Sequence, residues 1–199
     1  MQMPEGTQWA LEEALEVITI HLHPLSRPNF VLIGRFALHI HGMEHATEDL
    51  NFSVNSQSLN QWQTSVVDDS RFVYEPGGDW HYYCTGEGIE DLGVTIEFVN
   101  VVQLTQMDGM TGVLMDFGIW VAMLEELAIL KAEALVNRSE SKDWVDLLWI
   151  LQRTEAKEYQ FGVDVKAFSW RQGVKWQVFI WQPKIRKSWR GCLLSLLLK

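Results

Sequence analysis

The run Val31-Leu32-Ile33-Gly34-Arg35-Phe36-Ala37-Leu38-His39-Ile40-His41-Gly42, followed a few residues later by Asp49-Leu50-Asn51-Phe52-Ser53-Val54, decides the fold. Phe30 joins the three apolar residues after it in an unbroken tetrad, the pattern of a strand covered on both faces. Gly34 then turns the chain into a helix from about Arg35 to His41, which Gly42 ends. The second run alternates polar and apolar with period two. Asp49, Asn51 and Ser53 therefore share one face of a strand, and Leu50, Phe52 and Val54 face the core.

Outward from this unit the pattern changes from helix to strand and back. Leu11, Leu15, Ile18 and Leu22 recur at helical spacing and predict a helix over 7–23, with Thr7 as its cap and Pro24 beyond its end. A surface helix is predicted over 58–67, and strands over 71–74 and 80–85 joined through Pro76-Gly77-Gly78. In a further strand over 93–101, Thr95, Glu97 and Val99 point one way and Val94, Ile96 and Phe98 the other. Short strands near Val113 and Ile119 precede two helices, 122–136 and 142–153, the second capped by Ser139 or Ser141. This is an α/β (α+β) chain: a mixed sheet flanked by helices, then a helical part, then a tail.

Composition narrows the classes. A chain of 199 residues, 47% hydrophobic and 21% charged, has material for a real core and is not disordered. Its longest apolar run, 192–198, is far short of the roughly 20 residues of a membrane-spanning helix. The first residues lack a basic region ahead of an apolar stretch, and Cys84 and Cys192 cannot staple a secreted fold, so a reduced, cytoplasmic protein with no membrane partner is expected. Net charge is −10, yet from Lys166 onward there are eight cations, four tryptophans and no acid. An acidic body argues against non-specific wrapping of nucleic acid. The tail has two readings. Trp170, Trp176, Trp181 and Trp189 among lysines and arginines suit single-stranded nucleic acid, while the alternation of Val174, Trp176, Val178 and Ile180 suits a strand packed on the body. Packing is favoured, because so many exposed tryptophans would be insoluble.

The chemistry-bearing parts are a glycine at a strand-to-helix turn, an acid and an amide two residues apart on the next strand, and a further acid, Glu97, on a later one. Backbone N–H groups at such a turn suit phosphates, and strand carboxylates suit Mg²⁺. The run from Val31 through Thr47-Glu48-Asp49-Leu50-Asn51-Phe52 resembles the signature of the nucleotidyltransferase-fold superfamily, in which a Gly-Gly or Gly-Ser turn precedes a helix and an Asp-x-Asp strand follows. Downstream, Leu127 to Lys131, Arg138 and Lys142-Asp143-Trp144-Val145-Asp146 are similar to the helical segment of AbiEii-like and related nucleotidyltransferases. The resemblance spans roughly 25–153.

The resemblance implies a nucleotidyltransferase-like core over 1–120 and a helical part over 121–164 completing the nucleotide cleft, to which composition adds the basic, Trp-rich tail over 165–199, expected to pack on the body. It implies Asp49, Asn51 and Glu97 as catalytic residues and Mg²⁺ ligands, with Gly34, Arg35, Lys131, Lys142 and Asp143 at the nucleotide. The implied reaction is Mg²⁺-dependent transfer of a nucleoside monophosphate from a nucleoside triphosphate to a hydroxyl of an acceptor: a small molecule, a protein or a tRNA. Two departures support the alternative of a catalytically impaired pseudoenzyme acting as a nucleotide- or protein-binding module. Arg35 stands where the family has a second small residue, and Asn51 where it has the second acid, removing one negative charge.

Other readings of these residues stay open. Arg35 either reaches a phosphate or fills the nucleotide's space. Glu97, inside an apolar strand, has a partner or metal or else stands on an exposed edge. Lys131 either serves the nucleotide or snorkels from an apolar face, and Lys142, Asp143 and Asp146 also fit a solvated helix start. His21-Leu22-His23 and His39-Ile40-His41 have a His-x-His form used by zinc sites, but helical placement would make the two rings of each pair diverge.

Overall fold

The computed structural model describes residues 3–75, 78–89, 92–100, 112–114, 118–138, 140–156, 162–170 and 173–181. They form two compact units, Met1–Met123 and Leu124–Lys199.

The first unit is built on a seven-stranded mixed sheet. Its strands are β1 (Phe30–Ile33), β2 (Asp49–Val54), β3 (Phe72–Tyr74), β4 (Trp80–Tyr83), β5 (Gly93–Asn100), β6 (Gly112–Leu114) and β7 (Trp120–Ala122), in the order β3-β4-β5-β2-β1-β7-β6. β1 lies antiparallel to β2 and parallel to β7, and β2 is parallel to β5. The all-apolar β1 is central and fully buried, as its sequence requires. Leu50, Phe52 and Val54 are each wholly buried, so the period-two reading of β2 sets its two faces correctly.

Helices α1 (Glu5–His21), α2 (Gly34–Ile40) and α3 (Ser56–Val66) belong to this unit. Leu11, Ala14, Leu15 and Ile18 form the buried stripe of α1. The helix begins two residues before the expected Thr7, with Pro4 at the N-cap and no side chain capping it. Pro4, at φ −57° and ψ 140°, supplies the extended N-cap backbone, and its carbonyl accepts from the Gln8 N–H at 3.1 Å. α3 is capped by Asn55, whose side chain accepts from the Ser58 N–H at 2.8 Å. It is not a purely surface helix: Trp62 is 1% exposed and packs against Phe72, Trp80 and Phe98. Trp62 anchors the helix together with the equally buried Val66, because burying such a ring removes about 150–250 Å² from water.

Polar ties fix α1 to the β3–β4–β5 edge. Glu13 accepts from the backbone N–H groups of Thr85 and Gly86 and from the Tyr82 hydroxyl. Burial alone would raise its pKa, but those donors together hold the carboxyl below its ordinary value. Asp69 is held well below the usual range, first by hydrogen bonds from Arg71, and also receives His21 at 3.0 Å. The buried Cys84 thiol is pushed up to about 11 by desolvation.

In the second unit, α4 (Leu124–Arg138) and α5 (Ser141–Ala156) pack as a helical pair. α5 opens at Ser141, the Asp143 N–H bonding the Glu140 carbonyl at 3.1 Å. Ser141 is thus the first helical residue and not the cap, and Ser139 lies outside the described residues. Strands β8 (Gly162–Trp170) and β9 (Gly173–Trp181) form a separate antiparallel hairpin. β9 is the strand that the alternation of Val174 to Ile180 predicts, while β8 was not foreseen. The packing expected of the tail tryptophans lies outside the described side chains, and Trp189 outside the described residues. Among the described residues no helix is long and apolar enough to cross a membrane.

Candidate functional site

In the first unit, three expected residues meet at the junction of β1, β2 and β5. Antiparallel pairing sets Ile33 opposite Asn51, and parallel pairing sets Asn51 beside Glu97 and Asp49 beside Thr95. Residues paired across adjacent strands project to the same face. Asn51 and Glu97 are therefore neighbours on the face that carries Asp49. That face is open: Glu97 is exposed and Asp49 and Asn51 are half-buried. Glu97 stands on an internal strand, between β4 and β2, so its exposure does not come from an edge position.

Gly34 closes the site from above. It opens α2 with φ +74°, and a Cβ there would meet Asn51 Cβ at 3.0 Å and its Cγ and Nδ2 at 3.1 Å. Both facts require glycine, one for the left-handed backbone and one for the close approach. Arg35 follows in the first turn of α2, half-buried and engaged in an interaction of its own.

Asp49 is oriented by two neutral donors. The Thr47 hydroxyl donates to Oδ1, and the Asn51 amide donates from Nδ2 to Oδ2 at 2.9 Å. Thr47 is buried and lies two residues before Asp49. It was not among the expected site residues, although its place two positions before the motif acid was a usable signal. Neutral donors orient a carboxylate without pairing it with an opposite charge. As donors to a hard cation, the carboxylates of Asp49 and Glu97 and the amide oxygen of Asn51 are all oxygens, the kind Mg²⁺ takes. Among the described residues no group of three or more His, Cys, Asp or Glu is placed to hold a metal, and the amide at Asn51 leaves this cluster with two acids.

The second unit collects the other expected residues differently. Lys131 on α4 reaches Asp146 Oδ2 at 2.7 Å and Asp143 Oδ1 at 3.5 Å on α5. Arg138 grips Asp143 with two bonds, Nε to Oδ2 at 2.6 Å and Nη2 to Oδ1 at 2.7 Å. Asp143 and Asp146 are wholly buried and Lys131 nearly so. Burial would raise the Asp143 pKa, yet Arg138 and Lys131 together bring it below its ordinary value. Arg138 and Asp146 complete this cluster without having been picked as site residues. Lys142 stands apart from it, exposed and paired with Glu140 at 2.8 Å.

The histidine pairs go elsewhere. His21 ends α1 while His23 lies beyond it, so that pair does not sit on one helix. The His39 ring bonds the Met43 carbonyl at 3.2 Å and His41 bonds that of Ala122 at 2.8 Å.

Comparisons with known proteins agree with this architecture. Residues 83–174 match the family model of the nucleotidyl transferase AbiEii toxin, type IV TA system. Among solved structures, the chain is similar to JHP933 from Helicobacter pylori at 19% identity, covering 78% of this chain and 70% of that one, with TM-score 0.53. It is likewise similar to an antigenic nucleotidyltransferase-like protein from Paracoccidioides brasiliensis at 15% identity, covering 71% of this chain and 77% of that one, with TM-score 0.52. A search of curated proteins finds no match. The β1–Gly34–α2–β2 unit, the helical pair and these likenesses together give the chain a nucleotidyltransferase-type fold.

Proposed function

We propose that this chain binds a nucleoside triphosphate at the Gly34 turn and transfers its nucleoside monophosphate to a hydroxyl of an acceptor, which is a small molecule, a protein or a tRNA, in the cytoplasm. One observation carries the reading: Asp49 and Glu97 share an open face beside the Gly34 turn, and Asp49 is held by neutral donors that leave its charge uncancelled. Asp49 and Glu97 would hold Mg²⁺, with the oxygen end of the Asn51 amide beside them; when bound, the ion supplies stabilisation of charge developing on the phosphates. Gly34 lets the phosphates approach the backbone, and Arg35 offers a planar guanidinium to them. The acceptor oxygen bonds to the α-phosphorus in line as the bond to pyrophosphate breaks, and the hydroxyl proton passes to solvent.

The family pattern assigns Lys131, Lys142 and Asp143 to the nucleotide as well. Within their own unit, Lys131 and Asp143 act through the helical pair they tie, and Lys142 offers an exposed ammonium.

A transfer assay with α-labelled triphosphates and Mg²⁺ tests the proposal. Label on an acceptor together with released pyrophosphate is expected from the wild type, and Asp49→Ala should abolish both. A second reading, a nucleotide-binding pseudoenzyme, is favoured by the amide at Asn51, which leaves the cluster one charge short. It predicts saturable nucleotide binding with no transfer.

A further inference from the structure

In an all-carboxylate site, two ionised acids two residues apart on one strand face repel each other, and neither oxygen can donate a hydrogen bond. A cation or a shared proton has to stand between them. Here the amide of Asn51 stands in that relation to Asp49, its Nδ2 donating to Oδ2 at 2.9 Å. Only the NH₂ end of the amide can face a carboxylate, since the other end is itself an acceptor.

We propose that Asn51 replaces the bridging cation. It keeps Asp49 in place while no divalent ion is bound, so the site takes its cation only together with the phosphates of a nucleotide. The inference rests on the functional reading above for the identity of the ligand, but not for the behaviour of the ligand-free site.

Three features of the first unit support it. Asp49 is already fixed at both oxygens, by the buried Thr47 hydroxyl and by Asn51, so no ion is needed to order it. Asn51 is packed beneath Gly34, where even a Cβ would meet its amide at 3.1 Å, so the side chain cannot swing toward the turn. Its strand neighbour Glu97 brings the acids of this cluster to two where an aspartate at Asn51 would make three. Divalent-cation affinity follows the number of charged ligands, and nucleotide phosphates arriving with their own Mg²⁺ restore the missing negative charge.

The test uses the full chain at neutral pH with metal ions alone, Mg²⁺ or Mn²⁺ against EDTA, read by thermal unfolding and by calorimetric Mn²⁺ titration. The wild type should melt at the same temperature within about 1 °C in either condition. Asn51→Asp should melt about 2–4 °C lower in EDTA, regain that loss with Mn²⁺, and bind Mn²⁺ under conditions where the wild type binds none. Asn51→Ala separates a lost hydrogen bond from an added charge: it should melt lower without any response to cations. Wild type that takes up Mn²⁺ alone as tightly as Asn51→Asp, or Asn51→Asp that is as stable as wild type in EDTA, would overturn the proposal. If Asn51→Asp does not fold in EDTA, a wild-type chain that binds no Mn²⁺ alone supports it and one that binds Mn²⁺ sinks it. Failure of the wild type to bind any nucleotide would strike the functional reading and leave these metal-only results standing.

Discussion

Two carboxylate clusters in this chain are stabilised in opposite ways. In the helical pair, Asp143 and Asp146 are wholly buried and answered by full positive charges, Lys131 and Arg138. On the sheet, Asp49 is half-buried and answered by a hydroxyl and an amide, while Glu97 beside Asn51 is exposed. The difference follows from desolvation. A carboxylate taken out of water must be matched by an opposite charge at all times, so its charge is committed to the fold. One that stays partly hydrated needs only orientation, and its charge remains available to a ligand. Burial and counter-charge together thus distinguish a cluster whose charge is spent on the fold from one that is held by neutral donors.

The largest effect that sharpens this contrast is on Lys131. Lys131→Met leaves Asp146 buried without its closest cation and should cost about 3–5 kcal/mol of stability, measured by denaturant unfolding. A loss under about 1 kcal/mol would show that the cluster is hydrated and the contrast false.

The acid response comes next. Asp143 is held below its ordinary 3.8, so it contributes stability that is present above that value and lost as pH falls through its lowered one. Helical signal followed from pH 6 to pH 2 should therefore fall more steeply in the wild type than in Asp143→Asn, which has no such proton to take up. Parallel curves would contradict the assignment.

A smaller effect is expected at the sheet. Asp49→Ala should change unfolding free energy by only about 1 kcal/mol, the worth of hydrogen bonds from neutral donors, while removing nucleotide binding. The smallest belongs to Lys142. Its exposed pair with Glu140 should contribute less than about 1 kcal/mol, so Lys142→Ala should unfold close to wild type, and added salt should erase what difference there is.

The sequence made the centre of the fold readable because its signals there are local. An unbroken apolar tetrad, a glycine at a turn and a period-two strand specify β1, α2 and β2 without reference to distant residues. Helix α1 was readable for the same reason, from the helical spacing of Leu11, Leu15, Ile18 and Leu22. The rest depends on partners far along the chain. That β2 pairs in parallel with β5, setting Asn51 beside Glu97, depends on contacts across more than forty residues and leaves no mark in either strand alone. Trp62 stands in a mostly polar helix with few apolar residues, and the aromatic cluster around it shows it to be buried. Likewise Asp143 and Asp146 show a three-residue spacing that fits a solvated helix start, until Lys131 arrives from the neighbouring helix. Thr47 was missed because hydroxyls before a strand are common, and its direction toward Asp49 is set by the fold.

The central claim is that the charge of Asp49 is kept for a nucleotide, and calorimetric titration of each of the four nucleoside triphosphates with Mg²⁺ into the full chain tests it most directly. Saturable binding of at least one, lost in Asp49→Ala and retained in Lys142→Ala, is the predicted result. No heat of binding from any of the four, or binding that survives Asp49→Ala unchanged, would contradict the account.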